Sequence, residues 1–139
     1  MPKMEKRVGK NKNQNYIMKK KINSGSQLPQ EMIEAKHHDT SNIRKGAVAL
    51  PTSSFSTYFY LRNHGKLIVN CRHWAVTPNS RVVVSASEYD SNPATNRFIG
   101  QALFDVNNVA PYQGGFFVWL TVYWDNHLNI RIDAFIDPS

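Results

Sequence analysis

The chain has 139 residues, a length that fits one domain. Its formal charge of +7 is unevenly placed: residues 1–45 carry eleven Lys/Arg against four acids, a net of +7, and residues 46–139 carry six of each. A single cysteine excludes an intramolecular disulfide, and no stretch approaches the roughly eighteen apolar residues of a membrane helix.

The aromatics divide opposite to the charge, with Tyr16 before residue 46 and the other fifteen after it. Charge without large apolar groups cannot offset the entropy of ordering a chain. The expected organisation is therefore a basic, largely irregular N-terminal arm over 1–45, flexible or docking into an assembly, followed by a β-sandwich domain over 46–139.

The first twenty-one residues hold eight Lys/Arg and one acid. Lys10, Lys12, Lys19, Lys20 and Lys21 are candidates for contacting phosphates in a salt-dependent way or for docking on a neighbouring subunit. A solvated tail is the third reading. The N-terminus has charge but no apolar core, so it does not read as a secretory signal. The expectation is a soluble protein, cytoplasmic or virion- or phage-associated.

The stretch 27–38, QLPQEMIEAKHH, fits about two helical turns, with Met32, Ile33 and Ala35 on a weak apolar side. The adjacent His37 and His38 invite a metal, but no further ligands stand at suitable spacing, and no metal or cofactor is expected.

From residue 46 the apolar period becomes two. A short lead strand falls near 46–50. SFSTYFYLR sets Phe55, Thr57, Phe59 and Leu61 on one face. KLIVNCRHWAV sets Leu67, Val69 and Cys71 against Ile68, Asn70, Arg72 and Trp74. RVVVSAS sets Val82, Val84 and Ala86 together. RFIGQALFDVNNV reads as one strand with Phe98, Gly100, Ala102, Phe104 and Val106 on one side. GFFVWLTVYW and LNIRIDAFI follow, the latter with Leu128, Ile130, Ile132 and Ala134 on one face. Turn residues separate these runs. The sum is an all-β, six- or seven-stranded antiparallel β-sandwich.

Cys71 reads as a small buried hydrophobe; the alternative, a nucleophile with His73 as its base, lacks any other part of an acyl-transfer site. The acids of the domain fall at turns or on polar strand faces, and no nucleophile elbow occurs, so an enzyme is not expected.

In FFVWLTVYW, Phe116, Val118, Leu120, Val122 and Trp124 share one face, and Phe117, Trp119 and Tyr123 share the other. Three adjacent aromatics in water would form an apolar patch too large for a monomer. Either both faces are covered, or Phe117, Trp119 and Tyr123 meet another subunit; the thinness of a sandwich favours a homo-oligomer, a trimer or higher. The loops YDSNP (89–93) and WDNH (124–127) offer a binding site built from Trp124, Asp125, Asn126, His127, Asp90 and Arg97. A ring stacking on sugar C–H groups beside polar groups for the hydroxyls suits a carbohydrate. Alternatively, Trp124 closes the core and the rest makes the turn.

Residues 75–136 resemble the H-type lectin domain through Pro78, the valines 82–84, Asn108, Val109, Gly115, Phe116, Trp124, Asp125 and Leu128. Phe135 stands where those lectins commonly have Trp, and the basic arm has no counterpart. The resemblance implies a six-stranded antiparallel sandwich that forms trimers or hexamers and binds sugars such as N-acetylgalactosamine at subunit boundaries. Similar modules sit on phage tail fibres as receptor binders. The competing expectation is a building block of a virion, capsid or filament whose basic arm contacts nucleic acid or neighbouring subunits.

Overall fold

Period-two alternation buries one side of each strand, and two such sheets close over their apolar sides. The computed structural model of the chain describes residues 32–39 and 51–138. Nine strands run in chain order: β1 Met32–Glu34, β2 Lys36–His37, β3 Phe55–Asn63, β4 Gly65–Arg72, β5 Arg81–Tyr89, β6 Arg97–Phe98, β7 Leu103–Tyr112, β8 Gly115–Tyr123 and β9 Leu128–Asp137. They form a four-stranded sheet in the order β1-β4-β8-β7 and a five-stranded sheet in the order β2-β3-β9-β5-β6. No helix occurs among the described residues, so none is long and apolar enough to cross a membrane.

The core follows the sequence alternation. Phe59, Leu67, Val69, Cys71, Phe116, Val118, Leu120, Val122, Ile130, Ile132, Ala134 and Ile136 are buried, with Val82, Val84 and Ala86 packed against them. Phe59 and Phe116 meet edge to face across the two sheets, with ring centroids 5.6 Å apart. Cys71 lies wholly in this core, and burial pushes its thiol well above the usual range. Such a thiol stays protonated and packs as a hydrophobe.

Three elements differ from the sequence reading. The two helical turns expected in 27–38 are instead short strands over the described part. Met32–Glu34 runs parallel to Ile68–Asn70, and Lys36–His37 runs antiparallel to Phe59 and Tyr60 in the other sheet. A single residue, Ala35, separates the two, so this segment contributes to both sheets. Edge pairing outweighs a weak helical period here. Ile33 and Ala35 rest on the core, and Glu34 accepts from Asn70 Nδ2 and from Arg72 Nε at 2.7 Å. Asn70 Oδ1 in turn accepts from the Tyr112 hydroxyl.

The stretch 97–109, expected as one strand, is divided. Arg97–Phe98 pairs with β5 in one sheet, and the chain crosses at residues 99–102 to begin β7 in the other. Within β7 a bulge between Val106 and Asn108 resets the register, and the Asn107 side chain accepts from the Thr121 hydroxyl at 2.7 Å. The strand expected to run to Val76 ends at Arg72, and His73 to Val76 turn inward. The lead strand expected at 46–50 lies outside the described residues.

Candidate functional site

The site is built from corners where the chain passes between sheets. β3 and β4 lie in different sheets and are joined by His64 alone. Gly65 takes φ +82°, a conformation side chains resist, and the His64 amide donates to Asn63 Oδ1 at 2.8 Å. β8 and β9 are joined across the sheets by Trp124–His127. At the same end, the loop from Asp90 to Asn96 links β5 to β6. Register fixes this grouping: Asn63 pairs with Leu128, Glu88 with Ile130, Gly65 with Val122, and Leu103 with Tyr123.

The 90–96 loop is heavily bonded to itself. The Asp90 amide donates to the Asn96 carbonyl at 2.8 Å, the Ala94 amide to Asn92 Oδ1 at 2.9 Å, and the Asn96 amide to the Asn92 carbonyl at 3.0 Å. Ser91 adopts φ 57° within it. Arg131, on the outward face of β9, holds the loop down. Its guanidinium lies 3.8 Å from the Tyr58 ring centre, forks onto Asp133 at 2.7 and 3.0 Å, and donates to the Pro93 carbonyl at 2.9 Å. Asp133 also accepts from Arg97 at 3.2 Å.

Between this loop and the paired ends of β3 and β9 lies a cleft of about 650 Å³. Asp90, Thr95, Asn96 and Arg97 form one side of its lining, Arg62, Leu128 and Asn129 another, with Glu88, Tyr89 and Phe98 completing it. Arg62 donates to Asn129 Oδ1 at 3.1 Å, and these two are paired positions of β3 and β9. Burial, with Tyr60 beside it, raises the Tyr89 hydroxyl's pKa, so it remains a neutral donor. The lining thus offers a carboxylate pair, two guanidiniums, amides and two aromatic rings to one ligand.

Of the binding candidates read from sequence, Asp90 and Arg97 line this cleft. Trp124, Asp125 and Asn126 line a smaller pocket of about 240 Å³ with Tyr123. Trp124 is 40% exposed, so it does not close the core. His127 lines neither; its imidazole meets His64, with Nδ1 atoms 2.9 Å apart and ring centroids at 4.9 Å. Sequence reading missed Arg62, Glu88 and Asn129. All three sit on strand ends, and only the β3–β9 and β5–β9 register reveals them as neighbours.

The three residues expected at a subunit interface have different fates. Phe117 is 3% exposed within the single chain and has the Tyr112 ring against it at 4.7 Å. Trp119 is half-buried, and Tyr123 is 53% exposed with its hydroxyl donating to Asp105 at 2.7 Å. That bond holds the phenol's pKa up. Lys10, Lys12, Lys19, Lys20 and Lys21 lie outside the described residues.

The opposite end of the sandwich holds the other imidazoles. His37 Nε2 and His38 Nε2 both bond the Thr57 hydroxyl, at 2.5 and 3.0 Å, and His38 stacks on Tyr58 at 4.3 Å. His73 lies 5.4 Å from His37 and accepts from the Ala75 amide at Nδ1. Burial, with His37 beside it, lowers the His73 pKa to about 4. Burial also lowers that of His37. Among the described residues no three His, Cys, Asp or Glu side chains come close enough together to hold a metal ion. No protein-family model, curated protein or solved structure matches the chain.

Proposed function

We propose that the sandwich is a non-enzymatic, self-associating recognition module whose 650 Å³ end cleft binds carbohydrate. The observation that carries this reading is the makeup of the cleft. Asp90, Glu88, Arg62, Arg97 and Asn129 supply charged and amide partners for hydroxyls, and Tyr89 and Phe98 supply rings for the C–H faces of a sugar. The loop that walls it is held by its own hydrogen bonds and by Arg131, so little ordering entropy opposes binding. Trp124 adds a half-exposed ring on the neighbouring corner.

Self-association is supported by exposed apolar groups at this end. Leu103 and Tyr123 are register partners, and Ile99 and Trp124 flank them, all exposed. Phe117 is already buried, so Tyr123 and its neighbours carry this part of the proposal. Light scattering of Tyr123→Ser and Leu103→Ser should show dissociation with an unaltered melting temperature; unchanged mass in both would mean that these groups hold no subunit interface.

The test of binding is a glycan array with the full chain, followed by saturation-transfer NMR on any hit. Arg97→Ala and Asn129→Ala should abolish the signal while leaving the fold intact. Absence of binding at millimolar sugar, with assembly intact, would favour the second reading: a virion or filament building block. The confinement of the net +7 to residues 1–45 supports that alternative. Its mark would be co-purifying nucleic acid that disappears when residues 1–21 are deleted.

A further inference from the structure

We infer that His64 and His127 form a two-imidazole chelate for a late first-row divalent cation, Cu²⁺ or Ni²⁺ ahead of Zn²⁺. The inference stands apart from the carbohydrate reading, because neither imidazole lines the cleft. The two Nδ1 atoms lie 2.9 Å apart. Two imidazole nitrogens can approach so closely only with one proton between them, donated by one Nδ1 and accepted by the other. The two nitrogens therefore face each other, and a turn of each ring would bring both lone pairs onto one cation in place of that proton.

The spacing selects the metal. With metal–imidazole bonds of about 2.0–2.1 Å, two nitrogens cis at a right angle stand about 2.9 Å apart, while tetrahedral ligands stand about 3.3–3.4 Å apart. The observed separation matches the tetragonal spacing of Cu²⁺ or Ni²⁺, so the rings need to turn but not to part, and these ions also lead the affinity order for nitrogen ligands. A Zn²⁺ ion would require the rings to spread by a few tenths of an ångström.

The backbone holds the pair in place. His64 follows Asn63 and His127 precedes Leu128, and Asn63 and Leu128 are paired residues of β3 and β9. The Asn63 cap and the positive φ of Gly65 fix the His64 corner. Two ligands set by strand register lose little freedom on closing around an ion. With no third protein ligand within reach among the described residues, the other coordination positions belong to water or to an incoming ligand.

The test is a titration of the full chain with CuCl₂, and separately with NiCl₂, watching the imidazole C–H resonances by NMR. Expected is selective broadening of the His64 and His127 signals at substoichiometric metal, ahead of His37, His38 and His73. Electron paramagnetic resonance of the copper form should show two equatorial nitrogens. His64→Ala and His127→Ala should each lose this event, and His37→Ala with His38→Ala should keep it. Because His127 is exposed, its variants should fold, and melting curves without metal will confirm that. Simultaneous broadening of all five histidines, or an event that survives in both His64→Ala and His127→Ala, would overturn the inference.

Discussion

The two ends of the sandwich differ in what they do with polar groups. At the end carrying His73, the connection folds into the core: Ala75 and Val76 are fully buried, and Ser80 donates to the Pro138 carbonyl. The Gly114 amide donates to the Val76 carbonyl, and the His73 amide donates to the Gly114 carbonyl, so the β4–β5 connection and the β7–β8 turn are tied together. At the other end, corners of one to a few residues leave charges, amides and rings facing a cleft. One end seals the layers together; the other, relieved of that task, can display chemistry. Substitutions should sort accordingly, with stability lost at the sealed end and binding lost at the open one.

The largest effect should come from Phe116→Ala. Its ring is fully buried near the sealed end and meets Phe59 edge to face. Truncation should cost about 3–5 kcal/mol, measured as a lower urea midpoint. A loss below about 1 kcal/mol would mean the two sheets do not close over this ring.

Acid should weaken the same end. The pKa of His73 is about 4 in the folded chain, below that of an unfolded histidine, so the unfolded chain binds the proton more tightly. The group's contribution is complete above about pH 6.5 and is lost as pH falls towards 4, up to about 3 kcal/mol. Protonating Nδ1 also removes the acceptor for the Ala75 amide. The pKa of His37 is shifted the same way by burial and adds to the slope. His73→Asn, whose Oδ1 can accept from that amide without titrating, should flatten the profile between pH 7 and 4.5. An unchanged slope would place the acid sensitivity elsewhere.

Gly115→Ala comes next. An added Cβ would stand 2.7 Å from the Cys71 carbonyl oxygen, a backbone atom that cannot yield without moving β4. The expected loss is about 1–3 kcal/mol. Gly65 has open space around it and differs: there the obstacle is its φ of +82°, not a neighbour.

This contrast also explains what the sequence could and could not disclose. The sealed core was legible, because Leu67, Val69 and Cys71, or Phe116, Val118 and Leu120, repeat at the spacing a pleat imposes. Asp90 and Trp124–Asn126 stand in loops as their residue types suggest, and Arg97 lies on β6 beside Asp90's loop. The cleft itself was not legible, because it depends on β9 lying between β3 and β5, which sets Asn129 beside Arg62 and Arg131 beneath the 90–96 loop. Nor could local spacing show β1 and β2. Their three- and two-residue pairings are stabilised by partners twenty or more residues away, among them Asn70 and Thr57. The split at 99–102 was hidden for another reason: alternation continues through Gly100 and Ala102 while the backbone changes sheets.

The smallest change in stability, with an indirect consequence for binding, should come from Arg131→Lys. Arg131 alternates with the buried Ile130 and Ile132 along β9, yet its side chain is well covered. It does three things at once: it forks onto Asp133, lies over Tyr58, and reaches the Pro93 carbonyl. A lysine keeps the charge and can satisfy Asp133 or the carbonyl, but its single ammonium cannot span all three positions. The expected loss of stability is about 1 kcal/mol, the value of one or two charge-assisted bonds. The 90–96 loop, released from the sheet, should then exchange its amide protons faster than in the parent chain, while those of β3, β8 and β9 stay protected. Ligand affinity at the cleft should fall with it, because Asp90, Asn96 and Arg97 would have to be ordered on binding. If the loop amides keep their protection in Arg131→Lys, then its internal hydrogen bonds alone shape the cleft wall, and the two ends of the molecule are less separate than their packing implies.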